Sequence, residues 1–255
     1  MTEIIARRQF APGYIYFDLV FLFLFGGLLL FKKKYMTFLV GFCMGLVYMA
    51  VDYGIFHLVC HSRSITEGYS LFWVLLWMSM SYGFTNFTWI WLCLNRDEHL
   101  TEWTVLILAW WVCCPLLTQT FAPSAAPIVI QRTAGSYHGY MAAILFVGYL
   151  GVICFNLMQP EKACRIPILR LLAIGILAQL GWESTLLLGG IRSAGFASAG
   201  EKLLPLIVNS LLETNLGMPY VYCLFLLYTG HFTEQLKRRE APRSFLRRIA
   251  EDNHA

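Results

Sequence analysis

Long apolar runs separated by short polar segments dominate the hydropathy pattern of this 255-residue chain. A helix needs about 20 largely apolar residues to cross a hydrocarbon core of roughly 30 Å. Seven runs meet that requirement, and none shows the apolar–polar alternation of a half-buried strand. Because backbone polar groups find no partners in lipid, each run is predicted to be a helix. The predicted spans cover residues 14–31, 37–59, 69–94, 102–121, 138–157, 165–189 and 203–229.

The composition agrees with a chain that lies in a bilayer. Hydrophobic residues make up 58% of the chain and charged residues 13%, whereas a soluble domain carries about 25% charged residues. This low charge argues against a soluble globule, a disordered chain and a nucleic-acid-binding domain. We therefore predict an all-α, multi-pass protein of the cell membrane, with a seven-helix bundle over residues 1–230. The lipid bilayer is the expected partner, and no nucleic acid is expected to bind.

The basic residues between the spans predict the orientation of the bundle. With seven spans, the termini lie on opposite sides of the membrane. The side of the N-terminus holds six Lys and Arg residues and the other side holds twelve. Because cytoplasmic loops are the ones enriched in Lys and Arg, the N-terminus is predicted outside and the C-terminus in the cytoplasm. Residues 231–255 form a basic amphipathic tail that we expect to lie on anionic lipid headgroups.

Two parts of the chain resemble each other. Asp52, followed by Arg63, aligns with Glu183, followed by Arg192, at an offset of 131 residues between the acids. A second pair of segments, each with a Thr-Asn dipeptide, aligns at an offset of 129 residues. This pattern suggests two parallel copies of three spans joined by span four, a 3+1+3 arrangement used by some small transporters. Chance similarity between apolar helices is the alternative.

Ionisable and amide side chains inside the spans are the main indication of function. An ionisable residue at mid-membrane costs roughly 2.5–3.5 kcal/mol, so such residues usually face a bundle interior or a wet cavity. In the predicted topology nearly all of the intramembrane acid lies in the outer half, which indicates a polar pocket open to the outside. Asp18 lies near an outer span end, where we expect solvent to satisfy it. The deeper polar residues are Asp52, His57, Glu183 and Glu213, with the amides Asn86, Asn209 and Asn215.

Glu213 has the densest polar surroundings of these acids. Asn209 precedes it by one helical turn, so the amide can hydrogen-bond the carboxyl group. Gly217 and Pro219 follow, and because proline frees a backbone carbonyl we expect a kink beside the acid. Tyr220 lies two turns from Glu213 on the same stripe.

An aromatic stripe on span three is a second candidate feature. Trp77, Phe84 and Trp91 recur at seven-residue spacing, so they could line a cavity and stabilise a cation with their π-faces. Packing against lipid or neighbouring helices is the alternative. Span seven has no lysine for a retinal Schiff base, and the cysteines lack metal-site spacing. No nucleotide-binding or hydrolase motif occurs in a suitable context.

At spans two and seven the chain resembles the small seven-helix membrane terpene cyclases of meroterpenoid and indole-diterpene pathways. Those enzymes place one acid late in span two and another in span seven, ahead of a Gly/Tyr-rich stretch. Asp52, in a Val-Asp-Tyr-Gly sequence, and Glu213, in a Leu-Glu-Thr-Asn-Leu-Gly sequence, occupy those places. The family usually has Trp-Glu in span two and Asp in span seven. Here the acids are inverted, and Trp182-Glu183 lies in span six.

The resemblance implies general-acid chemistry on a lipophilic, terpenoid-like small molecule, without a metal or redox cofactor. Glu213 would protonate an epoxide or alkene, and Asp52 or Glu183 would accept the final proton. Burial favours the protonated form of a carboxyl group, which lets such a group act as an acid near neutral pH. The predicted substrate-binding residues are Asn209, Asn215, Asn86, Tyr220, Trp77, Phe84 and His57.

A small-solute transporter or ligand-binding membrane protein is the alternative function. A parallel 3+1+3 arrangement with acids and amides near mid-membrane also suits a proton-coupled carrier. A carrier needs polar residues or hinges along its inner half, which is poor in polar groups apart from Asn86 and Asn215. A structural or sensory membrane protein is a third possibility.

Overall fold

The computed structural model describes residues 6–122, 126–132, 137–160, 165–192 and 198–230. This part of the chain is mostly helical, and it contains five helices that are long and apolar enough to cross a membrane. Their bounds agree with five of the predicted spans to within about three residues. These helices are Gly13–Phe31 (α1), Tyr35–Val59 (α2), Leu100–Phe121 (α4), His138–Met158 (α5) and Ile168–Leu188 (α6). Within α2, the segment Ala50–Val59 is π-helical.

A sixth long helix, α3 (Leu71–Leu94), lies at the centre of the bundle. It packs against α1, α2, α4 and α6. Buried Ser, Thr and Asn side chains lower its hydropathy, so it is not among the five apolar helices. Because other helices rather than lipid surround α3, polar groups can be accommodated where they find partners across helices.

The seventh predicted span is not one helix. It consists of α7 (Ala199–Leu212) and a shorter apolar helix, α8 (Met218–Gly230), separated by turns over residues 213–217. Gly217 and Met218 donate to carbonyls three residues back, over 3.1 and 3.2 Å. Pro219 has no N–H to continue the α-helical ladder but fits the first turn of a new helix. The proline therefore accounts for a break where the sequence predicted a kink.

The N-terminal segment and two connecting segments form an antiparallel sheet that the sequence analysis did not predict. The strand order is β1–β3–β2, and β3 carries the β-branched run Ile-Val-Ile. The strands are Ala6–Phe10 (β1), Arg63–Ile65 (β2) and Ile128–Arg132 (β3). Phe10, Ile128 and Ile130 are buried in the same hydrophobic core as α1 and α3. The sheet therefore covers one end of the bundle.

Helices α2 and α3 approach each other at glycines. A Cβ atom on Gly83 would lie 2.6 Å from the Cα atom of Gly45. A Cβ atom on Gly41 would lie 2.8 Å from the carbonyl oxygen of Phe84. Small residues allow helix backbones in membranes to pack this closely, and this contact places the polar end of α2 against α3.

Candidate functional site

Glu183 lies near the end of α6, and its side chain is fully buried. Arg192, just beyond the helix, is also buried and donates a hydrogen bond to Oε2 of Glu183. Nε2 of Gln179, one helical turn earlier, donates to Oε1 over 3.2 Å. The two oxygens of the carboxyl group therefore have different partners, one charged and one neutral.

The Gln179 side chain connects Glu183 to Glu213. Its Nε2 also donates to Oε2 of Glu213 over 2.7 Å. Its Oε1 accepts hydrogen bonds from the hydroxyls of Tyr82 and Thr214. Two of the three predicted catalytic carboxyl groups thus contact one buried amide. We call Tyr82, Gln179, Glu183, Arg192, Glu213 and Thr214 the Gln179 network.

Glu213 enters this network from the break between α7 and α8. Its N–H donates to the carbonyl of Asn209 over 2.9 Å, so Asn209 contacts it through the main chain. Asn215 is fully buried, and its Nδ2 donates to the carbonyl of Ser210 over 3.3 Å. The hydroxyl of Tyr149 in α5 donates to Oδ1 of Asn215 over 3.4 Å. The interrupted helix is therefore held in place by side-chain amides and a tyrosine.

Asp52, the third predicted catalytic residue, has an arginine of its own. It lies in the π-helical part of α2, and Nε of Arg63 in β2 donates to its Oδ1 over 2.6 Å. Both side chains are buried, and the guanidinium carbon lies 4.4 Å from the ring centroid of Phe56. Nearby His57 packs against Tyr53 with 5.0 Å between ring centroids. Its Nδ1 is buried with no hydrogen-bond partner among the residues that the structure describes.

The expectation that solvent satisfies Asp18 is wrong. Its side chain is buried because the sheet and the neighbouring helices cover the N-terminal end of α1. The indole Nε1 of Trp77 donates to Oδ2 over 2.9 Å, and that of Trp110 donates to Oδ1 over 3.0 Å. Within the described ranges no Lys or Arg side chain pairs with Asp18, unlike Asp52 and Glu183.

A small cleft with mainly aromatic walls lies beside β1. Its walls include Arg8, Phe10, Tyr14, Trp77, Ser81 and Trp182. Its volume is about 20 Å³, which is enough for about one water molecule. Trp77 donates a hydrogen bond to Asp18, and Trp182 directly precedes Glu183 in the chain. The indole N–H of Trp182 is buried and lacks a hydrogen-bond partner in the described part of the chain.

The other residues predicted to bind a substrate lie in different parts of the bundle. Phe84 packs edge-on against Phe25, with 5.7 Å between ring centroids. Asn86 is buried in α3, and its Nδ2 has no hydrogen-bond partner among the described residues. Tyr220 is 45% exposed and donates to the carbonyl of Ile144 in α5 over 3.1 Å. Trp77 is therefore the one member of the predicted substrate-binding set that lines the cleft, as far as the described residues show.

Several residues of the site were not singled out from the sequence. Gln179 precedes Glu183 by one helical turn, the same spacing that drew attention to Asn209 and Glu213. Arg63 and Arg192 follow the two aligned acids, so the internal similarity already contained both ion pairs. Tyr82 gave no comparable signal, because a single tyrosine in an aromatic helix has many possible roles.

The structure and the comparisons with known proteins identify no cofactor or family. Across the described ranges, no cluster of three or more His, Cys, Asp and Glu side chains could hold a metal ion. The predicted lipid-binding tail, residues 231–255, lies outside the described residues. No protein-family model matches the chain, and no curated protein or solved structure is similar to it.

Proposed function

We propose that the protein crosses the membrane seven times and transfers protons to and from a lipophilic small molecule, as a cofactor-independent cyclase or isomerase. The aromatic cleft is the observation that carries this proposal, because its wall residue Trp77 donates a hydrogen bond to Asp18 and its wall residue Trp182 adjoins Glu183 in the chain. The crossing, the internal repeat and the chemistry each have separate support.

The connections at the two ends of the bundle support alternating crossings. One sheet combines the N-terminal segment with the connections after α2 and α4. The N–H of Gln9 in β1 donates to the carbonyl of Ile191 after α6 over 2.9 Å. Lys34 after α1 and Asp97 after α3 form an ion pair. The N-terminal segment and the connections after α2, α4 and α6 thus contact one another at one end, and those after α1 and α3 contact each other at the opposite end. Seven crossings require this separation if α7 and α8 together form the last crossing.

The two buried ion pairs support the 3+1+3 repeat. In both copies the acid lies near the end of its helix, α2 or α6, and its arginine lies just beyond that helix. In both copies a glycine of that helix faces the next one. Gly45 lies against Gly83, and a Cβ atom on Gly175 would lie 2.8 Å from Cγ of Met218. The shared acid–arginine arrangement supports the proposed repeat, whereas the two glycines are 130 residues apart and do not align at the offset of 131.

The partners of the carboxyl groups suggest a division of roles. Asp52 and Glu183 each accept a hydrogen bond from a buried arginine, and we assign them the roles of stabilising positive charge or accepting a proton. Glu213 and Asp18 receive hydrogen bonds from an amide and from indoles, respectively, and are the proposed proton donors. A donated proton would add to an alkene or epoxide, and the aromatic walls would stabilise the cation until a carboxylate removes a proton. The cleft would have to open, because its present volume holds little more than a water molecule.

Deuterium incorporation tests the proposed reaction. Membranes containing the full chain would be incubated in D₂O with a polyprenyl epoxide and a polyprenyl alkene as probes. We expect a cyclised or isomerised product that carries solvent deuterium. Loss of a general acid typically costs about 10²–10⁴-fold in rate, so Glu213→Gln and Asp18→Asn should each remove most of the product.

Glu98→Gln is the control for this experiment, because Glu98 is exposed at the other end of the bundle. It should form product at the rate of the unmodified protein. Absence of any deuterated product from either probe, or full activity of both Glu213→Gln and Asp18→Asn, would refute proton transfer to such substrates.

The break in the last span favours one alternative, a proton-coupled transporter. Discontinuous helices carry the substrate sites of several transporter folds, and Glu213 lies at such a break. Vesicles loaded with a pH-sensitive dye would separate the two functions. A transporter should show solute-dependent proton entry that Glu213→Gln abolishes, whereas a cyclase should show none.

A further inference from the structure

A basic pocket lies at the end of the bundle opposite the sheet. Its volume is about 180 Å³, smaller than the roughly 300–1,000 Å³ of pockets for drug-sized ligands. This volume suits a compact polar group. The pocket lies between the end of α3, the start of α6, and α8, and its walls include Leu94, Arg96, Pro167, Arg170, Tyr222 and Phe225.

Two guanidinium groups supply the charge of this pocket. Arg170 donates a hydrogen bond to the carbonyl of Cys93 over 2.6 Å, which fixes the side chain at the end of α3. A guanidinium has five N–H donors, so donors remain for a ligand. Within the described ranges, neither Arg96 nor Arg170 forms an ion pair with a carboxylate.

Asp97, the acid next to Arg96, accepts its hydrogen bonds from residues outside the pocket. Lys34 donates to its carboxyl group, and the N–H of His99 donates to it over 3.0 Å. Burial alone would raise the pKa of Asp97, but these hydrogen bonds outweigh it and hold the pKa below its ordinary value of 3.8. Asp97 therefore stays ionised and paired with Lys34 at neutral pH, which leaves the charge of Arg96 available.

The backbone of Arg96 is in the left-handed region, with φ of +53°. This conformation ends α3 and favours glycine over any residue with a Cβ atom. Lys33 holds the equivalent position at the end of α1, with φ of +57°. Lys33 does not line the pocket, so the two residues differ in the surroundings of the charge and not in backbone conformation.

The position of the pocket suggests its ligand. It lies at the end of the bundle predicted to face the cytoplasm, where Lys32 and Lys33 are exposed. The start of α6 at Ile168 adds the partial positive charge of a helix N-terminus. Basic pockets between transmembrane helices on the cytoplasmic side bind phosphate-bearing lipid headgroups. Apolar and aromatic walls beside the arginines can contact the adjoining glycerol and acyl carbons.

We propose that this pocket binds the phosphate of an anionic lipid headgroup through Arg96 and Arg170. Tyr222 and Phe225 would contact the adjoining glycerol and acyl carbons. The proposal is independent of the proton chemistry at the other end of the bundle. A lipid bound in this pocket would contact α3, α6 and α8 together, so it should stabilise the fold.

Lipid-dependent thermal stability of the full chain tests this proposal. The protein, purified in a neutral detergent, would be titrated with phosphatidylglycerol, with phosphatidylcholine or with inorganic phosphate. We expect phosphatidylglycerol to raise the unfolding temperature in a saturable manner and phosphatidylcholine to have little effect. Inorganic phosphate alone should bind far more weakly, because it lacks the contacts to the apolar walls.

Arg96→Gly is the decisive variant, because it removes the guanidinium and relieves the left-handed backbone. It should keep or raise the basal unfolding temperature and weaken phosphatidylglycerol binding by about fivefold, the usual contribution of one basic residue near an anionic membrane surface. Lys33→Gly is the matched control, with the same loss of charge and the same relief of backbone strain, and should retain full affinity. Arg170→Gln should weaken binding to a similar degree.

Three results would overturn the lipid assignment. Equal losses in Arg96→Gly and Lys33→Gly would show general charge attraction instead of a pocket. Equal binding of phosphatidylglycerol and phosphatidylcholine would exclude recognition of the anionic headgroup. Phosphate binding as tight as lipid binding, with the same dependence on Arg96, would assign the pocket to a soluble phosphate.

Discussion

At the scale of residues, four buried or partly buried acids have three kinds of partner. Asp52 and Glu183 each pair with an arginine, Asp18 accepts from indole N–H groups, and Glu213 accepts from an amide. An unpaired charge in a low-dielectric interior is costly, whereas a fully hydrogen-bonded one is tolerated. The four carboxyl groups are therefore accommodated in the interior by hydrogen-bond donors of different kinds.

The first prediction concerns the Glu183–Arg192 pair. Glu183→Gln keeps the shape of the side chain but leaves a buried arginine without its countercharge, so we expect a loss of about 3–5 kcal/mol in the free energy of unfolding. Replacing both charges, in Glu183→Gln/Arg192→Met, should restore most of that loss. Unfolding of the purified protein in detergent would measure both values.

Glu98→Gln is a suitable control for this measurement, since Glu98 is exposed and its contact with His99 is a surface pair. It should unfold at the same denaturant concentration as the unmodified protein. A Glu183→Gln variant that is as stable as this control would show that the buried pair contributes nothing.

At the scale of elements, hydropathy predicted most helix bounds but did not predict the π-helical segment or the break within a span. Continuous apolar runs in α1, α4, α5 and α6 predicted membrane helices because lipid requires both apolar side chains and satisfied backbones. No residue pattern marked the π-helical segment of α2. The proline in span seven indicated a disruption, and its missing N–H accounts for the break between α7 and α8.

The second prediction concerns the contact between α2 and α3. Gly83→Ala would place a Cβ atom 2.6 Å from the backbone of Gly45, and overpacking of this kind costs about 1–3 kcal/mol. Gly27→Ala in α1 is the matched control, because nothing lies within 4 Å of its added Cβ atom. We expect Gly27→Ala to be neutral or slightly stabilising, because alanine is the better helix former. Thermal unfolding would compare the two variants, and equal stabilities would contradict the close contact.

At the scale of the whole molecule, the sheet and the Lys34–Asp97 pair join connections that are far apart in the chain. The sheet closes the end of the bundle that contains Asp18 and the aromatic cleft, whereas the basic pocket lies at the opposite end. The molecule thus has two chemically distinct ends, one with buried acids and one with accessible arginines. The distribution of Lys and Arg predicts which end faces the cytoplasm.

The third prediction concerns this orientation. Glu67→Cys near β2 and Glu98→Cys after α3 would introduce single exposed thiols at opposite ends, in a background with the native cysteines replaced. A membrane-impermeant maleimide should label position 67 on intact cells and position 98 only after the membrane is permeabilised. The reverse pattern would invert the predicted orientation, and labelling of both positions on intact cells would contradict an odd number of crossings between them.

The sequence by itself determined the helical membrane fold, most helix bounds and the acids that enter the bundle, because apolar length and intramembrane charge are local properties of a segment. It also contained both arginine partners within its internal similarity. The tertiary structure alone decided that Asp18 is buried, that Gln179 links Glu183 to Glu213, and that Trp77 lines a cleft while Phe84 packs in the core. These outcomes depend on helix rotation, glycine contacts and a sheet assembled from distant connections. Such contacts link residues far apart in the chain, and hydropathy along one segment carries no information about them.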